Sequence, residues 1–307
     1  MINRVLIRLK VVQIVYAYYK NSGKSLKAAE DEVFFSLSKA YDLYNYMLLL
    51  MEGITQYASD RISFLSMKIR PTESDKNPNL KFVNNRFIAQ LRSNEQLVKF
   101  AEKSKLNWVD NSDFLRRLLD TIEASDIYKE YMELGISSYE EDKELWRKLY
   151  KAFIFDNEEL DALLEEQSLY WNDDKNIVDT FVLKTIKRFE ENGGGTQQLL
   201  PEYKDVADMD FARKLFRTAI VNAEEYRQMM SESSKNWDMS RLAFMDVVIM
   251  QVALAELVTF DDIPLSVTLN EYVEIAKHYS TVKSGSFVNG LLDSISKKLR
   301  ADGKISK

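Results

Sequence analysis

The sequence predicts an all-α protein, and three observations carry that prediction. Glycine and proline together supply 13 of 307 residues, about 4% against roughly 12% in average proteins, so the residues that punctuate strands and tight turns are scarce. Residues 136–192 and 202–263 contain neither, a length that is hard to cross in sheet without turn chemistry. Apolar residues also recur at steps of three and four over long stretches of the chain.

In the first such stretch Val5, Leu9, Val12, Tyr16 and Tyr19 form one stripe over residues 4–20, with Arg4 and Arg8 stacked beside it. The β-branched run at Val11, Val12, Ile14 and Val15 would also suit a buried strand, but the helical spacing persists over four turns. After a loop at Asn21–Ser25, the series Val33, Leu37, Tyr41, Tyr44, Leu48 and Met51 predicts a second long helix that continues past Gly53 toward Leu65. Pro71–Asn79 reads as a turn or exposed loop. Residues 80–192 hold amphipathic segments rich in Trp, Tyr and Phe, separated by acidic runs such as Glu140–Asp142 and Asp173–Asp174, which read as solvated faces. Asn192-Gly193-Gly194-Gly195-Thr196 reads as a flexible connection ahead of Pro201.

Beyond it, Ala212, Phe216, Ala219, Ala223, Tyr226 and Met230 give an unbroken seam that predicts one helix. Residues 242–258 are apolar almost all round, with Asp246, Gln251 and Glu256 as the interior polar positions, so this helix is expected at the centre of a bundle. Pro264 precedes a helix with expected core residues Leu269, Val273 and Ala276. Ser284 or Ser286 is suited to cap a last helix through Leu291, Ile295 and Leu299, whose end carries Lys297, Lys298 and Arg300.

Composition narrows the function. Hydrophobic residues make up 46% and charged residues 29%, enough apolar surface for a substantial core in one large or two modest domains. No apolar run approaches the roughly 18 residues of a spanning helix, and no signal-peptide cleavage site follows the N-terminus, so a cytoplasmic protein without a membrane partner is expected. With no Cys and one His, there is no thiolate nucleophile and little scope for zinc or His-relay chemistry. We expect no enzyme, no cofactor, no metal and no small-molecule substrate. The net charge of −6 is unevenly spread: residues 1–29 hold six bases (Arg4, Arg8, Lys10, Lys20, Lys24, Lys27) and no acid, leaving 36 bases against 48 acids. A basic island on an acidic body suggests contact with a polyanion near the N-terminus.

Several motifs fail on inspection. Gly23-Lys24-Ser25 resembles the end of a P-loop, but Tyr18 stands where the first glycine should. The triple glycine lacks a following Lys, and His278, with no Cys or second His in the chain, reads as structural rather than as a ligand. Trp237, ahead of the buried helix, reads as a packing residue. The segment Ser284–Asp293 is more informative. A helix start with two serines, Asn289 and Gly290 suits a phosphate, while Phe287 offers a face to a base or, alternatively, an anchor to the core.

Ile263-Pro264, Asn270-Glu271, Ala276-Lys277 and Phe287-Val288-Asn289-Gly290 with Asp293 closely resemble the C-terminal half of the NusB family of bacterial transcription antitermination factors. Val252–Leu257 looks like that family's buried helix, and Val12-Gln13-Ile14-Val15-Tyr16 is similar to its first helix. The resemblance covers roughly residues 1–20 and 205–300. It implies NusB-like helical bundles with an additional inserted helical region: an N-terminal helix at 1–30, an insertion of unknown function at 31–200 and a C-terminal NusB-like domain at 201–307. It further implies a non-enzymatic regulator that binds boxA-like RNA together with NusE, a ribosomal small-subunit protein. By position, the implied RNA contacts are Arg4, Arg8, Lys10, Lys283, Phe287 and Asn289, and the implied partner contacts are Tyr16 and Asp246. Val5, Leu6 and Ile7 among the arginines, with dense acid in the insertion, motivate an alternative: an interaction scaffold that has lost RNA binding.

Overall fold

The computed structural model describes residues 1–21, 24–234, 242–281 and 283–307, so the expectations placed on Gly23 and Trp237 lie outside the described residues. Among the described residues the chain is helical, apart from an isolated parallel bridge between Ile2 and Tyr203. No helix there is long and apolar enough to cross a membrane. Contacts divide the chain into two units, one of Met1 with Lys39–Glu202 and one of Ile2–Ser38 with Tyr203–Lys307.

Helix α1 (Arg4–Lys20) begins where the Asn3 side chain accepts from the Leu6 backbone N–H at 2.9 Å. It is buried nearly all round, and the exposed member of the expected stripe is Val5, at 39%. Helix α2 (Leu26–Ser66) runs without a break for 41 residues, through Gly53, and supplies residues to both units.

The Lys39–Glu202 unit continues with α3 (Glu73–Lys76), α4 (Arg86–Arg92), α5 (Glu95–Ser104), α6 (Ser112–Ala124), α7 (Asp126–Glu133), α8 (Tyr139–Leu149), α9 (Glu158–Gln167) and α10 (Lys175–Arg188). Its core is aromatic. Tyr46 stacks on Trp108 at 4.2 Å and on Trp171 at 5.7 Å, and both indoles donate to backbone carbonyls of α2. Residues Tyr150–Ile154 widen into a π-helical turn, and the buried Lys175 ammonium donates to the Ile154 carbonyl at 3.0 Å and to Asp179 at 2.8 Å. The triple glycine is not the flexible connection expected. It forms a 3₁₀ turn in which Gly194, at φ 51°, takes a left-handed conformation, and Gln90 donates to its carbonyl at 3.0 Å. A Cβ on Gly195 would lie 2.5 Å from the Ser93 carbonyl oxygen, so glycine is required by close approach.

The second unit adds α11 (Val206–Val221), α12 (Ala223–Ser233), α13 (Phe244–Thr259), α14 (Leu265–Tyr279) and α15 (Ser284–Ala301). Helix α13 is its centre and packs against α1, α11, α12, α14 and α15. The seam read as one helix across 212–230 breaks at Asn222, whose ψ of 19° leaves the helical range. In α14 the buried face is Thr268, Tyr272, Ile275 and Ala276; of the expected core residues only Ala276 belongs to it. The reason is chemical, since the hydroxyls of Thr268 and Tyr272 are turned inward to a buried carboxylate. At the start of α15, Ser284 is buried and donates inward to Asp246 rather than capping the helix.

The acidic run at Glu140–Asp142 is not wholly a solvated face, because Asp142 is buried. Burial alone would raise its carboxyl, but hydrogen bonds from Ser137, Tyr131 and the backbone and side chain of Arg86 prevail and hold it below its ordinary value of 3.8. Those bonds, from the Tyr131 hydroxyl at 2.7 Å and the Arg86 N–H at 3.0 Å, tie α4 and α7 to α8. A carboxyl depressed by folding contributes stability above its unfolded pKa, and that contribution is lost as pH falls through the folded value. The urea midpoint of the protein is therefore expected to drop as pH is lowered below about 4, and less steeply in Asp142→Asn. Equal slopes in the two proteins would show that this carboxylate does not govern the acid limb.

Candidate nucleic-acid interface

The residues expected to bind RNA divide sharply by depth. Arg8 lies inside: its side chain is 4% exposed, with Nε 2.7 Å and the second terminal nitrogen 2.9 Å from the two oxygens of Glu256. Glu256 also accepts from Thr268 at 2.8 Å and from Tyr272 at 3.0 Å, and the Glu271 carboxylate stands 3.8 Å from Arg8. Desolvation would lower the Arg8 pKa, but the hydrogen bond and charge of Glu256 overcome it and leave the guanidinium more firmly protonated than usual. Arg8 is thus not a phosphate contact, because both its charge and its donors are spent on α13. Lys10, at 2% exposure, is also removed from the surface expected of it.

Phe287 is the third correction. At 8% exposure its ring is packed inside and offers no face to a base. It belongs to the row Ser284, Phe287, Val288, Leu291, Leu292 and Ile295, the buried stripe of α15. The opposite face of the same helix carries Lys283, Ser286, Asn289 and Gly290, all exposed. Lys283 and Asn289 therefore stand at the surface as expected, while Ser286 and Gly290 join them there. A Cβ on Gly290 would meet nothing within 4 Å, so no packing among the described residues asks for glycine at that position.

Arg4 sits between these extremes. Its side chain is 38% exposed, lies 4.9 Å over the Phe211 ring, and forms long ion pairs to Asp208 at 3.9 Å and Asp262 at 3.6 Å. Such pairs in water are weak and open to exchange with another anion.

The two expected partner contacts also part ways. Tyr16 is half-buried, its ring 5.4 Å from Phe244, with Lys20 over both rings at 5.6 and 4.9 Å. Tyr19 lies 6.0 Å from Phe244 and carries Arg227 over its ring at 5.1 Å, extending a cluster of aromatic and cationic groups. The α1 half of this cluster is visible as Tyr16, Tyr19 and Lys20 at helical spacing; Phe244, from a distant helix, has no such signal. Asp246 faces inward at 4% exposure and is no surface contact. Its Oδ2 accepts from Ser284 at 2.9 Å, and its buried Oδ1 has no hydrogen-bond partner among the described residues.

Charge separates the two units. Lys39–Glu202 carries 22 Lys and Arg against 30 Asp and Glu, net −8, while Ile2–Ser38 with Tyr203–Lys307 carries 20 against 18, net +2. No group of acidic, His or Cys side chains suited to a metal ion occurs among the described residues.

Residues 181–297 match the NusB family. The chain is 36% identical to the transcription antitermination protein NusB of Salinibacter ruber (strain DSM 13855 / M31) over 132 residues, 41% of this chain and 82% of that protein. It is 36% identical to the same-named protein of Geotalea uraniireducens (strain Rf4) over 133 residues, covering 43% of this chain and 89% of the relative. For that of Chloroherpeton thalassium (strain ATCC 35110 / GB-78) the identity is 36% over 111 residues, 36% of this chain and 53% of the relative. No solved structure matches the chain.

The buried pair makes a sharp forecast. Arg8→Met strands a desolvated carboxylate, and a loss of about 3–5 kcal/mol in urea unfolding is expected. Adding Glu256→Leu removes the stranded charge and is expected to recover part of that loss. A single-variant loss below about 1 kcal/mol, the range of exposed pairs, would show that Glu256 does not depend on Arg8.

Proposed function

Because the chain belongs to the NusB family, we propose that it is a transcription antitermination regulator that binds boxA-like RNA together with NusE, without catalysis of its own. The observation that carries this reading is the exposed face of α15, where Lys283, Ser286, Asn289 and Gly290 share one side of the helix start. Lys283 supplies a charge for phosphate at the positive end of the helix dipole. Ser286 and Asn289 supply hydrogen-bonding groups, and Gly290 lets a sugar or phosphate come close to the backbone. The unit that holds this face has net charge +2 in a chain of −6, which favours a polyanion there over the rest of the molecule. Arg4 adds a second cation by releasing its long pairs to Asp208 and Asp262.

NusE is assigned to the cluster of Tyr16, Tyr19, Phe244 and Lys20, where aromatic rings flanked by a cation give an anchor with a polar rim. Arg8 and Phe287 act from within, the first by fixing α1 on α13 and the second by seating α15 so that its polar face stays outward. A cytoplasmic location accords with this role.

The test is titration of boxA-like RNA with and without NusE at several salt concentrations. Lys283→Ala is expected to weaken binding about 3- to 10-fold and to reduce the salt slope by about 1, with a smaller effect from Arg4→Ala. Unchanged affinity and slope in Lys283→Ala would remove the α15 face from the reading. Binding no tighter than to scrambled RNA, alongside a stable NusE complex, would replace it with an interaction scaffold.

A further inference from the structure

The Lys39–Glu202 unit contains a groove of about 390 Å³ between α2, the end of α5 and the start of α6. On α2, residues four apart fall on one row, and two rows meet the groove. Leu49, Gly53 and Tyr57 form its apolar floor, and Glu52, Gln56 and Asp60 form a rim about 12 Å long beside it. Trp108 is the far wall. It is 3% exposed and fixed by stacking on Tyr46 at 4.2 Å, and a Cβ on Gly53 would come within 3.1 Å of it. Val109 forms the opposite lip at 77% exposure.

Two features decide what fits. The apolar surface does not end at the groove: Phe64, 72% exposed, lies one turn beyond Asp60 on the same row of α2. A small molecule confined to the groove would leave Phe64 uncovered, whereas a polypeptide segment along α2 would cover both the groove and that strip. The rim is acidic, with Asp60 held by Gln56 at 2.8 Å and in no ion pair among the described residues, while Glu52 takes Arg92 at 2.9 Å. With the unit at net −8, RNA and anionic lipid are repelled and a cationic partner is drawn in. We infer that this groove is a docking site for a basic amphipathic segment of a partner protein, with apolar side chains against Leu49, Tyr57 and Val109 and Lys or Arg against Asp60 and Glu52.

The experiment uses the full chain and a labelled 14-residue amphipathic helix of Leu and Lys, followed by fluorescence anisotropy. Saturable one-to-one binding is expected. Asp60→Lys and Val109→Lys, both at exposed positions, are each expected to weaken it at least tenfold. Glu165→Lys, an exposed acid of α9 outside the groove, is expected to change it less than twofold. A peptide with Ser for Leu, or one with Glu for Lys, should not bind. Thermal melts of each variant check folding independently of the peptide. Absence of binding to the wild-type chain, an equal loss in Glu165→Lys, or equal binding of the Ser peptide would overturn the inference, the last two by showing diffuse charge attraction. None of these outcomes involves RNA, so the α15 reading stands or falls separately.

Discussion

The carboxylate of Glu256 sits in the last turn of α13 with no exposure to water, and helices α1 and α14 both turn polar groups to it. A carboxylate offers about four acceptor directions. Here two go to the Arg8 fork of α1 and two to the Thr268 and Tyr272 hydroxyls of α14. Apart from Asp246 and Gln251 the rest of α13 is largely apolar, and apolar contact alone is tolerant of rotation and sliding. The polar cluster is not: a shift of one residue would break all four bonds in a dry interior. Three helices are thereby fixed in register at a single point, and burial pushes the Tyr272 hydroxyl well above its ordinary pKa, so it remains a donor.

That constraint explains why the N-terminal arginines do different work. Arg4 and Arg8 are four apart and lie on one row of α1, so composition and spacing treat them alike. One turn of depth separates them in the fold. Arg8 reaches the carboxylate, while Arg4 stops at the rim over Phe211 among acids it can release. The positive charge that the sequence concentrates at the start of the chain is therefore partly consumed inside.

Helix positions were legible where apolar residues recur at steps of three and four, as in α1 and the long α2, because a 3.6-residue period is a local property of the chain, and α13 was legible as an almost continuous apolar run. The side of a helix that faces inward was legible less often. For α14 the apolar residues Leu269 and Val273 pointed to a face that the structure rejects in favour of Thr268 and Tyr272, since hydrogen bonds to a buried acid from another helix outweigh the local pattern. Phe287 could have been placed correctly from its row with Leu291 and Ile295; the aromatic ring drew attention to stacking when its spacing already marked it as core. The turn at Gly193–Gly195 was misread for the opposite reason: low side-chain content looks like freedom, but Gly194 and Gly195 are there for a left-handed φ and for contact with the Ser93 carbonyl. Asp246 and Phe244 depend on partners distant in sequence, and no local rule reaches them.

Gly53 brings the same logic to the other unit. A glycine inside an exposed helix costs about 1 kcal/mol relative to alanine. In α2 it stands where Trp108 packs against the backbone, and a Cβ there would lie 3.1 Å from the Trp108 Cβ, so a side chain would push that residue away. The indole is held on its other side by Tyr46, through a stacking contact and a hydrogen bond to the Tyr46 carbonyl, and cannot yield without disturbing the aromatic core. The missing Cβ lets Trp108 close on α2, and the groove lies beside that contact, bordered by Glu52 and Asp60. The Trp108 wall of the groove is thus set by how the core closes. Its acidic rim, by contrast, is a surface choice that the core does not dictate, and the charge of the rim rather than the shape of the groove selects a cationic partner.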